Sequence, residues 1–123
     1  MENYYKASTT KSPEIHFNMD GTFKISGNSY MEDPEKFYFD VTKWLKLFLD
    51  QNSSHVSLNV CLVYINTSST KAILNLLNLI NTVAKSDLKV VWEYQIDDEE
   101  MLEIGEDLQK LTKKTFTFKE LPD

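Results

Sequence analysis

The apolar residues of this chain change their period along its length, and that alternation restricts the fold more than any single residue does. Ile15, Phe17 and Met19, then Phe23 and Ile25, recur at every second position on either side of Asp20-Gly21, which is a hairpin signal. Phe37, Val41, Trp44, Leu45, Phe48 and Leu49 then fall on one helical stripe. Asp33-Pro34 opens it with a capping carboxylate and a proline at the first helical position, and the helix is predicted to end near Gln51. Val56, Leu58, Val60, Leu62 and Tyr64 alternate along a strand to Ile65. Ile73, Leu76, Leu77, Ile80, Val83 and Ala84 return to helical spacing, to about Lys85.

Leu88, Val90, Trp92, Tyr94 and Ile96 alternate once more, and Asp97 or Asp98 caps a third helix. Its expected inner face is Met101, Ile104, Gly105, Leu108 and Leu111, and Phe116 with Phe118 supplies a last short strand. Residues 52–54 and Ser86-Asp87 read as turns, and Gly27-Asn28-Ser29-Tyr30 as a break into an exposed loop. A hairpin followed by three helix–strand alternations predicts an α/β fold: a single domain whose mixed sheet carries its helices mainly on one face. Residues 1–11, polar apart from Tyr4 and Tyr5, read as a flexible N-terminal arm or an edge extension ahead of that domain at 12–123.

Composition removes several classes of function. The net charge is -6, and all 13 cationic side chains are Lys. Arg is the usual bidentate reader of phosphates and guanine edges, so an acidic chain without it argues against nucleic acid as a partner. No stretch approaches the apolar length of a membrane helix, and a lone Cys61, expected to be buried, fits a reducing cytoplasm. Gly21, Gly27 and Gly105 are too dispersed for a dinucleotide fingerprint or a P-loop. His16 and His55 have no partner at metal-ligand spacing, and Cys61 has no nearby His to activate it. Asp97, Asp98, Glu99 and Glu100 suit a solvated helix start better than a cation site. Neither a cofactor nor a metal is therefore expected, and no catalysis.

One stretch remains unexplained by folding alone. Asn66-Thr67-Ser68-Ser69-Thr70-Lys71 lies where a strand hands over to a helix, and four hydroxyls stand in a row there. Unpaired backbone N–H groups and the positive end of the helix dipole make such a place hospitable to phosphate. Thr67 or Ser68 as a simple N-cap is the local alternative. Leu62, Tyr64 and Ile73 are expected to anchor this loop to the core. Lys71, one turn into the helix, is placed to pair with a phosphate.

Taken together, Tyr64, Asn66-Thr67-Ser68-Ser69 and Lys71 resemble the signature of the SiaC family of bacterial regulatory phosphoproteins. Ser12-Pro13, Gly27-x-Ser29-Tyr30-x-Glu32, Trp44-Leu45, Trp92-x-Tyr94 and Glu103-x-Gly105-Glu106 match it in order, from about 12 to 118. Met31 stands where the Ser-Tyr-Pro-Glu version has Pro. The resemblance implies a cytoplasmic, non-catalytic protein with a fold like the anti-sigma-factor antagonist (STAS) domains. It implies phosphorylation on Thr67, with Asn66, Ser68, Ser69 and Lys71 forming the phosphosite loop and Ser29, Tyr30 and Glu32 meeting partners. The implied partners are a kinase of the anti-sigma-factor type, a metal-dependent serine/threonine phosphatase and, in some members, a diguanylate cyclase. A constitutive adaptor of the same fold and a small-molecule-sensing domain are the alternatives.

Overall fold

The computed structural model describes residues 1–51, 55–84 and 87–122. A hairpin leads into three helix–strand repeats: β1 (Tyr4–Lys6), β2 (Glu14–Phe17), β3 (Thr22–Ser29), α1 (Pro34–Gln51), β4 (Val56–Ile65), α2 (Thr67–Ala84), β5 (Leu88–Gln95), α3 (Glu99–Thr112) and β6 (Thr117–Leu121). The six strands lie in sequence order. β1, β2 and β3 pair antiparallel, and β3 to β6 pair parallel. Because each parallel crossover moves one strand in the same direction, right-handed connections put all three helices on one face. The turns expected at 52–54 and at Ser86 lie outside the described residues, as does the Lys85 end of the second helix.

The period-2 pattern decides which face is covered. Ile15, Phe17, Phe23, Ile25, Leu58, Val60, Val90 and Trp92 point into the core beneath the helices. The opposite face carries Lys24, Ser57, Asn59, Glu93 and Lys119. There Asn59 Nδ2 donates to Glu93 Oε1 at 3.4 Å, and Lys119 Nζ lies 3.8 Å from the same oxygen. Cys61 belongs to this open face and is half-buried rather than enclosed. Burial, then the hydrogen bond and charge of Glu93, push its thiol up from the ordinary range.

Several elements differ from the sequence pattern for physical reasons. Of the two readings of the N-terminal segment, Tyr4–Lys6 takes the edge-strand form, pairing with Ile15–Phe17. Trp44 Nε1 donates to the carbonyl of Glu2 at 2.8 Å, and Tyr4 packs against the Trp44 ring, so the first residues are tied to α1. Gly27–Ser29 does not leave the sheet: β3 continues to Ser29, with Gly27 at φ +110°. Such a backbone suits glycine, whose missing Cβ removes the steric penalty. In α3 the inner face turns towards Thr112, leaving Leu111 63% exposed. The Thr112 hydroxyl satisfies itself by donating to Leu108 O at 2.8 Å.

Gly105 lets α3 approach β5 closely. A Cβ there would lie 2.5 Å from Trp92 Cδ1 and Nε1, and the indole cannot slide because its N–H donates to Met101 O at 2.9 Å. Gly105→Ala is therefore expected to destabilise the fold by about 1–3 kcal/mol through overpacking, despite the better helix propensity of Ala. Urea denaturation measures this; an unchanged or raised midpoint would contradict the close approach of α3 to β5.

Candidate functional site

A β-bulge sets up the site. The register of β3 against β4 runs Gly27↔Leu62 and then Asn28↔Tyr64, so Val63 has no partner on β3. The extra residue shifts the inside–outside phase by one. Leu62 and Ile65 face the core, whereas Val63 is 60% and Tyr64 57% exposed. Tyr64 thus does not anchor the loop as expected; Leu62, Ile65 and Ile73 do. Tyr64 instead meets Tyr30 edge-on, with ring centroids 5.1 Å apart.

Beyond the bulge, Asn66 uses every polar group it has. Its N–H donates to Ser29 O at 3.0 Å, and its side-chain Nδ2 donates to Met31 O at 3.1 Å. Its Oδ1 accepts from Ser69 N–H at 2.9 Å, the bond that caps α2. Its carbonyl accepts from Thr70 N–H at 2.9 Å and from the Thr70 hydroxyl at 3.0 Å. The N-cap is Asn66, not Thr67 or Ser68. A carboxamide reaches across the first turn while also holding the neighbouring loop, which a hydroxyl is too short to do.

This arrangement sorts the four hydroxyls. Thr70 is bonded back to Asn66, and Ser69 is 0% exposed with no hydrogen-bond partner for its Oγ among the described residues. Thr67 and Ser68, in the first turn of α2, are exposed. Both line a cleft of about 680 Å³ between the first turns of α1 and α2. Its α1 wall contributes Glu32, Asp33, Glu35 and Phe39; its α2 wall adds Lys71. Of Asn66, Thr67, Ser68, Ser69 and Lys71, it is Thr67, Ser68 and Lys71 that line this cleft, whose far wall is acidic.

The remaining candidates separate. Tyr30 is half-buried against Tyr64, and Glu32 is exposed on the cleft wall. Ser29 is 0% exposed and its hydroxyl lies 2.8 Å from Tyr38 Oη, so it is a core contact rather than a surface one. Burial pushes the Tyr38 phenol up to about 12, the bond to Ser29 partly opposing the rise. Tyr38 lines the base of the cleft, a residue the helical stripe did not include. At the start of α3, Asp98 Oδ1 accepts from Met101 N–H at 3.1 Å, so this carboxylate caps a helix. Among the described residues, no group of three or more His, Cys, Asp or Glu converges, and no helix is long and apolar enough to cross a membrane.

Fold and site together define a single-domain α/β protein that presents an unengaged hydroxyl at a helix entry, at the carboxyl ends of its parallel strands. The chain belongs to the SiaC family of regulatory phosphoproteins, whose model matches residues 6–121. An uncharacterized protein of Pseudomonas aeruginosa (strain UCBPP-PA14) is 26% identical over 113 residues, covering 89% of this chain and 90% of that protein. The crystal structure of apo-SiaC from P. aeruginosa superimposes with a TM-score of 0.83 at 25% identity, covering 98% of each chain. In a further structure SiaC is bound to the diguanylate cyclase SiaD, whose activator it is; there the likeness is one of fold, with a TM-score of 0.87 at 24% identity, over 96% of this chain and 99% of that one.

The Asn66 network makes a quantitative demand. Asn66→Ala is expected to cost about 1–2 kcal/mol, combining a lost N-cap with a lost hydrogen bond to Met31. Asn66→Ser, which keeps a capping oxygen but cannot reach Met31, should lose less. Chemical denaturation of the three proteins decides it, and an alanine variant as stable as the parent would contradict the role given to Asn66.

Proposed function

We propose that this protein is a non-catalytic partner-switching regulator controlled by reversible phosphorylation of Thr67. The observation that carries the reading is the Thr67 hydroxyl itself: exposed, at the first position of α2, and relieved of capping by Asn66. Family membership supports it, since the family is one of regulatory phosphoproteins. A bacterial cytoplasmic setting goes with this reading.

The chemistry is transfer of the ATP γ-phosphoryl group to Thr67 Oγ1, releasing ADP and the hydroxyl proton. A kinase of the anti-sigma-factor type performs it, and a metal-dependent serine/threonine phosphatase hydrolyses the ester. Phosphate brings about -1.5 to -2 charges and three strong acceptors. The positive end of α2 and Lys71 one turn further on accommodate it, so the domain need not unfold. Glu32, Asp33 and Glu35 across the cleft already make that wall acidic, and the added dianion leaves Lys71 as the one cation lining the cleft among the described residues. A partner covering the loop must then desolvate the phosphate, and binding weakens.

The output partner we assign is a diguanylate cyclase, by analogy with the P. aeruginosa SiaC–SiaD complex. The protein would thereby control cyclic-di-GMP output and biofilm formation without chemistry of its own. With the cognate kinase, ATP and Mg²⁺, one phosphate per chain is expected, on Thr67. Thr67→Ala should abolish labelling; Ser68→Ala and Ser69→Ala should keep at least part of it. Intact-mass and phosphopeptide spectrometry read the outcome, and full labelling of Thr67→Ala would sink the assignment.

A further inference from the structure

At the amino ends of the parallel strands, opposite Thr67, the sheet is left incomplete. β5 pairs with β4 from Leu88 onwards, but its ladder with β6 begins only at Val91↔Thr117. Residues 88–90 therefore have no strand beside them on the β6 side, and open strand edges receive extended chains. A groove of about 550 Å³ occupies this gap, between the start of β5 and the α3–β6 connection. Lys89, Lys113 and Lys114 line it together with Thr115 and Thr117, and no carboxylate does so among the described residues. Asp87, next along the chain, is exposed and is not one of its walls.

Three cations gathered in a chain of net charge -6 ask for a physical reason. The dipole of α3 supplies part of one, since cations suit a helix C-terminus. Lys110, in the last turn of α3, already meets that demand. Lys113 is harder to explain by folding. It ends α3 in the left-handed region at φ +55°, where glycine is the favoured residue. The chain thus keeps a long cation where its backbone favours no side chain at all. Neither Lys113 nor Lys89 forms an ion pair among the described residues.

We propose that this groove is a docking site for an extended acidic segment of a partner protein. The segment runs along residues 88–90 as a short added strand and sets its carboxylates among Lys89, Lys113 and Lys114. Charge complementarity and the open strand edge select the same occupant. The space far exceeds what a lone phosphate fills, and three Lys without Arg are a poor reader of nucleic acid. The groove lies at the other end of the sheet from Thr67, so its occupancy is independent of phosphorylation there. The inference goes beyond the partner-switching reading and does not rest on it.

The probe is an end-blocked peptide of alternating Glu and Val, with its Gln–Val counterpart as the uncharged control. Amide chemical shifts of the full chain follow the titration. The Glu peptide should shift the amides of residues 88–90 and 113–117, and its affinity should fall severalfold from low to moderate salt. Lys113→Gly should weaken binding severalfold while keeping or raising the melting temperature, because glycine suits that backbone. A lysine that only closes the helix would leave binding untouched on the same substitution. Lys89→Gln should also lose severalfold, whereas Lys43→Gln, exposed on α1, should bind like the parent. Phosphorylated and unphosphorylated protein should bind the peptide alike. Absence of shifts at these residues, or equal binding of the Gln peptide, overturns the proposal. Displacement of the peptide by an equal concentration of inorganic phosphate or of duplex DNA overturns the acidic segment as the occupant.

Discussion

The architecture around the site hangs on Asn66. Its backbone and carboxamide join the end of β3, the Met31 carbonyl and the first turn of α2 in one hydrogen-bonded unit. Such a residue satisfies groups that a strand-to-helix junction otherwise leaves to water. Because the amide does the capping, the hydroxyl beside it is left without structural work. The Thr67 hydroxyl proposed to be phosphorylated can therefore be modified with the Asn66 cap left in place.

The second determinant is the bulge one turn earlier. An uninterrupted β4 would bury Tyr64 and expose Ile65. The extra residue reverses both, and so brings the Tyr30–Tyr64 pair, an acidic cleft wall and the Thr67 hydroxyl to one end of the sheet. Open α/β sheets place their sites at the carboxyl ends of the strands because loops and helix N-termini meet there. Here the helix N-termini supply the positive field, while Glu32, Asp33 and Glu35 supply the opposing charge across the cleft.

Much of this was legible in the chain. The period changes gave the element order and the single helical layer, and Asp33-Pro34 gave the start of α1; that Gly105 lies against Trp92 came only with the structure. The hydroxyl run marked the candidate site because it exceeds what capping requires, and the structure places two of its members, Thr67 and Ser68, on a cleft. What was not legible depends on tertiary register. The bulge at Val63 leaves no local signature, so strict alternation assigned Tyr64 to the core. Ser29 looked like loop chemistry, but β3 is longer than its pattern and Tyr38 reaches down to it. Leu111 and Thr112 are both neighbours of Leu108 on a helix, and hydrophobicity alone chose the wrong one. The sequence marks Asn66 as part of a motif but not as the cap, because its reach to Met31 depends on a loop distant in sequence.

The central claim is that phosphate on Thr67 changes what the surface binds and not how the chain folds. Calorimetric titration of the diguanylate cyclase with phosphorylated and unphosphorylated protein, with circular dichroism of both forms, tests it most directly. The account expects superimposable spectra and an affinity for the phosphorylated form lower by about tenfold or more, the scale of a dianion desolvated without a full counter-charge. Equal affinities, or a large loss of helix signal on phosphorylation, would contradict it.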